Sequence, residues 1–133
     1  MKKYLDANVF ILAIVNDDAL GRAARALLDD VVKGEVQGVT SFLTFDEVAW
    51  ALRKVTNKEK AYVYVKNFLE MPHLEFLDVN KNVIWKAFYY LQEHKLDPRD
   101  AIHIASAIVS GASSIVTEDK DFSNIKEIKV EGL

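Results

Sequence analysis

Four carboxylates in this chain stand where an apolar stretch ends or begins, and chemistry is expected there first. Asp6 follows Tyr4-Leu5, and Glu47 lies near the head of the run Phe42 to Val55. Asp100 precedes Ala101-Ile102-His103-Ile104-Ala105, and Asp119 follows Ile115-Val116-Thr117-Glu118. If they meet at one rim, mutual repulsion raises their pKa values and weakens the fold. A divalent cation removes that penalty and turns the cluster into a binding site. The chain has no cysteine and three histidines. Oxygen ligation therefore points to Mg²⁺ or Mn²⁺ rather than zinc, and no EF-hand loop argues for calcium. One or two ions are expected; a pair is typically ~3.5–4 Å apart and suits attack of water on a phosphodiester. No catalytic serine signature competes with that chemistry.

Each carboxylate also has a purely structural use. Asp6-Ala7-Asn8 reads equally well as a turn, in which short polar side chains satisfy local backbone. Thr44-Phe45-Asp46-Glu47 fits a capping box in which Glu47 serves its own helix, unless Ser41 is the cap and Glu47 is freed. In Asp97-Pro98-Arg99-Asp100, Asp97 suits the N-cap, Pro98 the first helical position, and Asp100 either a reciprocal cap or a charge near the helix dipole. Asp119 suits the cap of a short turn with Phe122 docked on the core. Only their placement relative to strands and helices joins the four into one pocket.

The elements that must position them can be read from periodicity and punctuation. A strand runs to about Asp6, then a turn and a short helix. Ala19 to Val32 is a helix closed by Gly34, Val36 to Thr40 a strand, and Phe42 to Val55 a helix with Phe45, Val48, Ala49 and Leu52 on its buried stripe. Lys58 to Met71 is a helix broken by Pro72, Glu75 to Val79 a strand, and Val83 to Leu91 an aromatic-rich helix. Ala101 to Val109 reads as a buried helix stopped by Gly111, followed by a short central strand Ser114 to Thr117 and a terminal strand Lys126 to Val130. Strands alternating with helices argue for α/β architecture on a parallel sheet covered on both faces. Ligands in such sheets collect beyond the carboxyl ends of the strands, where Asp6 and Asp119 lie.

Composition sets the remaining bounds. A chain of 133 residues, 50% hydrophobic, is expected to form one domain over 1–133. The opening Met1-Lys2-Lys3 reaches Asp6 after two apolar residues, so neither a signal peptide nor a membrane span is expected, and a cysteine-free chain fits the cytoplasm. With 17 basic and 20 acidic residues the formal charge is −3. A protein gripping nucleic acid by its backbone alone is usually basic, so phosphate here needs a metal or a local basic patch.

Lys3-Tyr4-Leu5-Asp6-Ala7-Asn8-Val9-Phe10 resembles the opening motif of PIN-domain nucleases. Ser41 to Glu47 resembles their second motif, Asp97 to Ala105 their third and Thr117 to Phe122 their fourth, in order and across essentially the whole chain. The size and the Ala-rich third motif look most like VapC-type toxins of toxin-antitoxin pairs. The resemblance implies a three-layer α/β/α sandwich with a mainly parallel central sheet. It implies Asp6, Glu47, Asp100 and Asp119 as catalytic acids and metal ligands, Asn8 steadying Asp6, Thr117 offering its hydroxyl, and Asp121 as a peripheral acid helping to hold a second ion. It further implies an RNA substrate, a cognate antitoxin and a homodimer. Some PIN proteins process RNA without an antitoxin.

Two other classes compete. A phosphatase with Asp6 as nucleophile would want a second aspartate where Asn8 stands and leaves Glu47 unexplained. A non-catalytic metal-binding or receiver-like module would bind metal without cutting RNA. Among the remaining residues, Arg99 is the best basic candidate for touching substrate or clamping the acidic rim. Arg22, Arg25, Lys33, Arg53, Lys54, Lys58 and Lys60 read mainly as solvated charges, His103 as a hydrogen-bonded core histidine, and Trp50 as packing. Tyr62, Tyr64, Phe68, Trp85, Phe88, Tyr89 and Tyr90 exceed what so small a monomer can bury, a surplus that suits an interface.

Overall fold

The structure, a computed structural model, describes residues 1–133. Five strands form one sheet: β1 (Lys2–Leu5), β2 (Gln37–Ser41), β3 (Leu74–Leu77), β4 (Ser114–Val116) and β5 (Lys129–Glu131). Their order is β3-β2-β1-β4-β5 and every pairing is parallel. Six helices connect them: α1 (Ala7–Val15), α2 (Ala19–Val32), α3 (Phe42–Val55), α4 (Lys58–Leu69), α5 (Lys81–Glu93) and α6 (Pro98–Val109).

Alternation along β1 divides the core. Leu5 packs with Val9, Phe10, Ala24, Val48, Leu52 and Phe68 from α1 to α4 on one face. Tyr4 packs with Val83, Tyr90, Ile104 and Phe122 on the other, beside α5 and α6. A strand buried on both faces reads as a continuous apolar run, as Tyr4-Leu5 and Ile115-Val116 do. The result is the expected three-layer sandwich.

The strand order sets where a site can form. From β1 the chain winds outward to β2 and β3, then returns to place β4 on the other flank of β1. Neighbouring loops at β1 and β4 therefore leave the sheet toward opposite layers, which opens a crevice at their carboxyl ends. Asp6 leaves β1 and Thr117 leaves β4 at that crevice.

Several boundaries differ from the sequence reading. β5 begins at Lys129, not Lys126. Ile125 and Ile128 are buried in the core, so the chain bends to seat them before it can pair with β4. The buried stripe of α3 is Thr44, Val48 and Leu52. Phe45, expected inside, is exposed, as is Trp50 at 57%. Thr44 takes the inward position because its hydroxyl meets that of Thr40 at 2.7 Å. That choice turns the helix and leaves Trp50 outside. Gly34 closes α2 as expected, with a positive φ of 81° that suits glycine.

Helices α1 and α2 meet closely at the end of α1. Arg25, expected to be a solvated charge, donates to the carbonyls of Ala13 at 3.0 Å and Asn16 at 2.8 Å, closing the end of α1. A Cβ on Gly21 would lie 2.0 Å from the Asn16 carbonyl oxygen and 2.7 Å from its carbon. Gly21→Ala is therefore expected to cost at least about 1–3 kcal/mol. Urea unfolding would read this as a lower midpoint at unchanged slope.

Candidate metal centre

Asp6 is an N-cap rather than part of a free turn. Its side chain accepts the Ala7 backbone N–H at 2.7 Å, so the end of β1 passes directly into α1. The Thr117 hydroxyl donates to Asp6 Oδ2 at 2.7 Å, and Asn8 Nδ2 donates to the same oxygen at 3.2 Å. Asn8 Nδ2 also lies 3.3 Å from Thr117 Oγ1, which in turn accepts the Asp119 backbone N–H at 3.0 Å. These bonds lace the exits of β1 and β4 together. Asp6 is 6% exposed. Burial pushes its carboxyl above the usual range, against the pull of His103, the Thr117 hydroxyl and the Ala7 N–H.

Glu47 comes from the second turn of α3. Ser41 is the N-cap there by position, though its side chain makes no capping bond; this start excludes the capping box at Thr44 and frees the Glu47 side chain. Its Oε1 meets His103 Nε2 at 2.5 Å. His103 Nε2 lies 3.5 Å from Asp6 Oδ1, and His103 Nδ1 meets the Tyr4 hydroxyl at 2.7 Å. The imidazole is 1% exposed. Burial alone would lower its pKa, but Tyr4, Glu47 and Asp6 together outweigh that and push it up to about 10. Facing two carboxylates, Nε2 carries a proton and the ring is an imidazolium at neutral pH. His103 is thus the buried, hydrogen-bonded histidine expected from its apolar helix. Sequence reasoning did not place it against Glu47; the signal available was its position one turn after Asp100.

Asp100 sits in the first turn of α6. Asp97 is the N-cap by position, but its side chain makes no capping bond. Burial and the neighbouring charges of Asp119, Asp6 and Asp121 push the Asp100 carboxyl up to about 6. Asp119 does cap locally, its Oδ1 accepting the Asp121 N–H at 2.9 Å in the 3₁₀ turn Lys120–Phe122. Capping leaves the rest of that carboxylate available.

The acids therefore form two neighbouring groups. Asp6, Glu47 and His103 offer ligand atoms within 4.8 Å of one another, and so do Asp100, Asp119 and Asp121. The first already contains a cation in His103. The second contains only carboxylates. That donor set fits a hard divalent cation, since oxygen ligands without a protein counter-ion are what such an ion neutralises. Arg99 pairs with Asp46, at 3.6 Å.

A groove of about 660 Å³ opens beside Glu47, lined also by Ile11, Trp50, Ala51, Lys54, Val55 and Arg99. Of the aromatic residues counted as surplus, Phe68 and Tyr90 are buried, while Tyr62, Tyr64, Trp85, Phe88 and Tyr89 are exposed. No helix is long and apolar enough to cross a membrane.

No curated protein matches the sequence. Solved structures match the fold closely. VapBC2 of Rickettsia felis, bound to a promoter DNA fragment, aligns with a TM-score of 0.77 at 20% identity over 99% of this chain and 98% of that one. VapC20 of Mycobacterium tuberculosis, a sarcin-ricin loop cleaving toxin, aligns with a TM-score of 0.73 at 18% identity over 95% and 98%. DNA-bound VapBC of Salmonella typhimurium gives 0.73 at 21% over 99% and 98%. The family model for the PIN domain matches residues 3–128. Nearly the whole chain, including the crevice between β1 and β4, falls within that match, and the chain belongs to the PIN domain family.

Proposed function

We propose that this protein is a metal-dependent endoribonuclease, the toxin of a toxin-antitoxin pair. The observation that carries the proposal is the group Asp100, Asp119 and Asp121 beside buried Asp6, at the sheet's switch point, with too little positive charge to balance it. Asp6, Glu47, Asp100 and Asp119 would hold one or two Mg²⁺ or Mn²⁺ ions, with Asp121 assisting. Such ions supply Lewis acidity to the phosphoryl oxygens and lower the pKa of water.

The chain's own residues keep the acids in register. Thr117 and Asn8 fix Asp6 Oδ2 by hydrogen bonds. His103 engages Oε1 of Glu47, which leaves Oε2 as the oxygen for a ligand or water. Asp100, with its carboxyl raised to about 6, is largely ionised at neutral pH and binds cation best above that value. An RNA substrate and a cognate antitoxin are supported by the fold's likeness to the sarcin-ricin loop cleaving VapC20 and to VapBC complexes. A homodimer is supported by the exposed aromatics of α5, among them Trp85, Phe88 and Tyr89.

Asp6→Asn and Asp100→Asn are each expected to abolish Mg²⁺-dependent RNA cleavage while the protein stays folded. Sequencing RNA 5′ ends after pulsed expression of wild type and Asp6→Asn reads both the activity and the target. Wild-type cleavage in EDTA, or full activity in either variant, would sink the reading.

A second prediction concerns the metal-free protein. Folded Asp100 keeps its proton to about pH 6 against an ordinary value of 3.8. The fold thus holds the extra proton between those values, and Asp100 contributes stability below about pH 4 that is lost as pH rises through 6. Asp100→Asn removes the ionisation. Its melting temperature should overtake that of wild type across this window, with the gap constant above it. A gap that does not change between pH 4 and pH 7 would show that Asp100 is not crowded by other acids.

A further inference from the structure

On α3, Glu47, Trp50, Ala51 and Lys54 follow one another at i, i+3, i+4 and i+7, so they form a single stripe leading away from the acids. At about 1.5 Å of rise per residue, Lys54 lies about 10 Å along the helix from Glu47. This stripe is one wall of the groove of about 660 Å³, a volume within the ordinary range for small-ligand sites of about 300–1,000 Å³. Trp50 stands 57% exposed on that wall. The Arg53 guanidinium carbon lies 5.8 Å from its ring centroid, and Arg99 lines the same groove, tethered by Asp46 at 3.6 Å.

From this arrangement we infer that the groove binds single-stranded RNA next to the scissile phosphate. A base stacks on Trp50, and Lys54 and Arg99 take the adjoining phosphates. The inference rests on the ribonuclease reading and names the path its substrate follows. The chemistry favours a nucleotide over an apolar segment. A flat π face beside two cations, Lys54 and Arg99, is the recurring combination for single strands, and it tolerates sequence because every base offers a face to stack. It also gives a chain of net charge −3 a local hold on a polyanion, since Lys54 and Arg99 meet at the groove beside Glu47. Trp50 stands outside the inward stripe of α3, which is Thr44, Val48 and Leu52.

The test is binding of a short, labelled, mixed-sequence single-stranded RNA, read by anisotropy in an Asp6→Asn background so that no turnover intervenes. Trp50→Ala should weaken the Kd about 5- to 100-fold, the size of one lost base stack. Trp50→Phe should restore most of it, and Lys54→Ala should lower the salt slope by about one. With Trp85→Phe added, Trp50 is the chain's remaining tryptophan, and its emission should be quenched by single-stranded RNA but not by the same sequence as duplex. An unchanged Kd in Trp50→Ala, or unquenched emission on binding, overturns the inference. A Trp50→Ala effect confined to self-association or to binding of a protein partner also overturns it, and assigns the groove to protein. These readings do not require cleavage: absent metal-dependent turnover in the wild type would defeat the ribonuclease reading, while quenching would still report whether the groove takes RNA.

Discussion

Asp6 is an ionisable group buried at the end of an apolar strand, and much of its surroundings offsets the cost of keeping it there. The Ala7 N–H, the Thr117 hydroxyl and the Asn8 amide satisfy its oxygens, and His103 sets a positive charge 3.5 Å away. Those partners come from α1, the exit of β4 and α6, so compensating one carboxylate draws three elements to a single point. The order β3-β2-β1-β4-β5 makes this possible, because it leaves the exit of β1 open beside that of β4.

The compensation is uneven. Around Glu47 and Asp6 the fold supplies its own cation, a buried imidazolium positioned by Tyr4. Asp100, Asp119 and Asp121 have no cation within their own group; burial and the neighbouring acids outweigh the pull of His103 and leave the Asp100 carboxyl hard to ionise. One half of the crevice has one of its two carboxylates balanced without any guest, and in the other half the carboxylates pair with no cation. A site prepared in this way holds its geometry when empty yet gains stability from a cation, since a ligand that binds only the folded state stabilises it.

Much of this was legible in the sequence because it depends on local pattern. Gly34 after an amphipathic run, Asp97-Pro98 before an apolar one, and an aspartate directly after Tyr4-Leu5 are signals carried by neighbouring residues, and α2, α6 and β1 followed from them. The features that escaped depend on contacts between distant segments. His103 reaches Glu47 across 56 positions of sequence. The inward face of α3 was set by Thr44 meeting Thr40 on β2, which no hydrophobic periodicity reveals, and so Phe45 was placed on the buried stripe and Trp50 was read as packing, where both are exposed. The late start of β5 likewise follows from seating Ile125 and Ile128 in a core whose shape the rest of the chain determines. Thr44-Phe45-Asp46-Glu47 carried the letters of a capping box, and the sequence left open whether Thr44 or Ser41 begins the helix; Ser41 holds the N-cap position, without a side-chain capping bond.

The claim on which all of this turns is that the carboxylates of the crevice form a cation site, and direct titration with Mn²⁺ tests it most plainly. Free Mn²⁺ followed by electron paramagnetic resonance, with melting temperature recorded on the same samples, should show saturable binding and a rising melting temperature for the wild type. Binding should be sharply weakened in Asp100→Asn. A wild type that leaves Mn²⁺ free, or an Asp100→Asn variant that binds it equally well, would contradict the account.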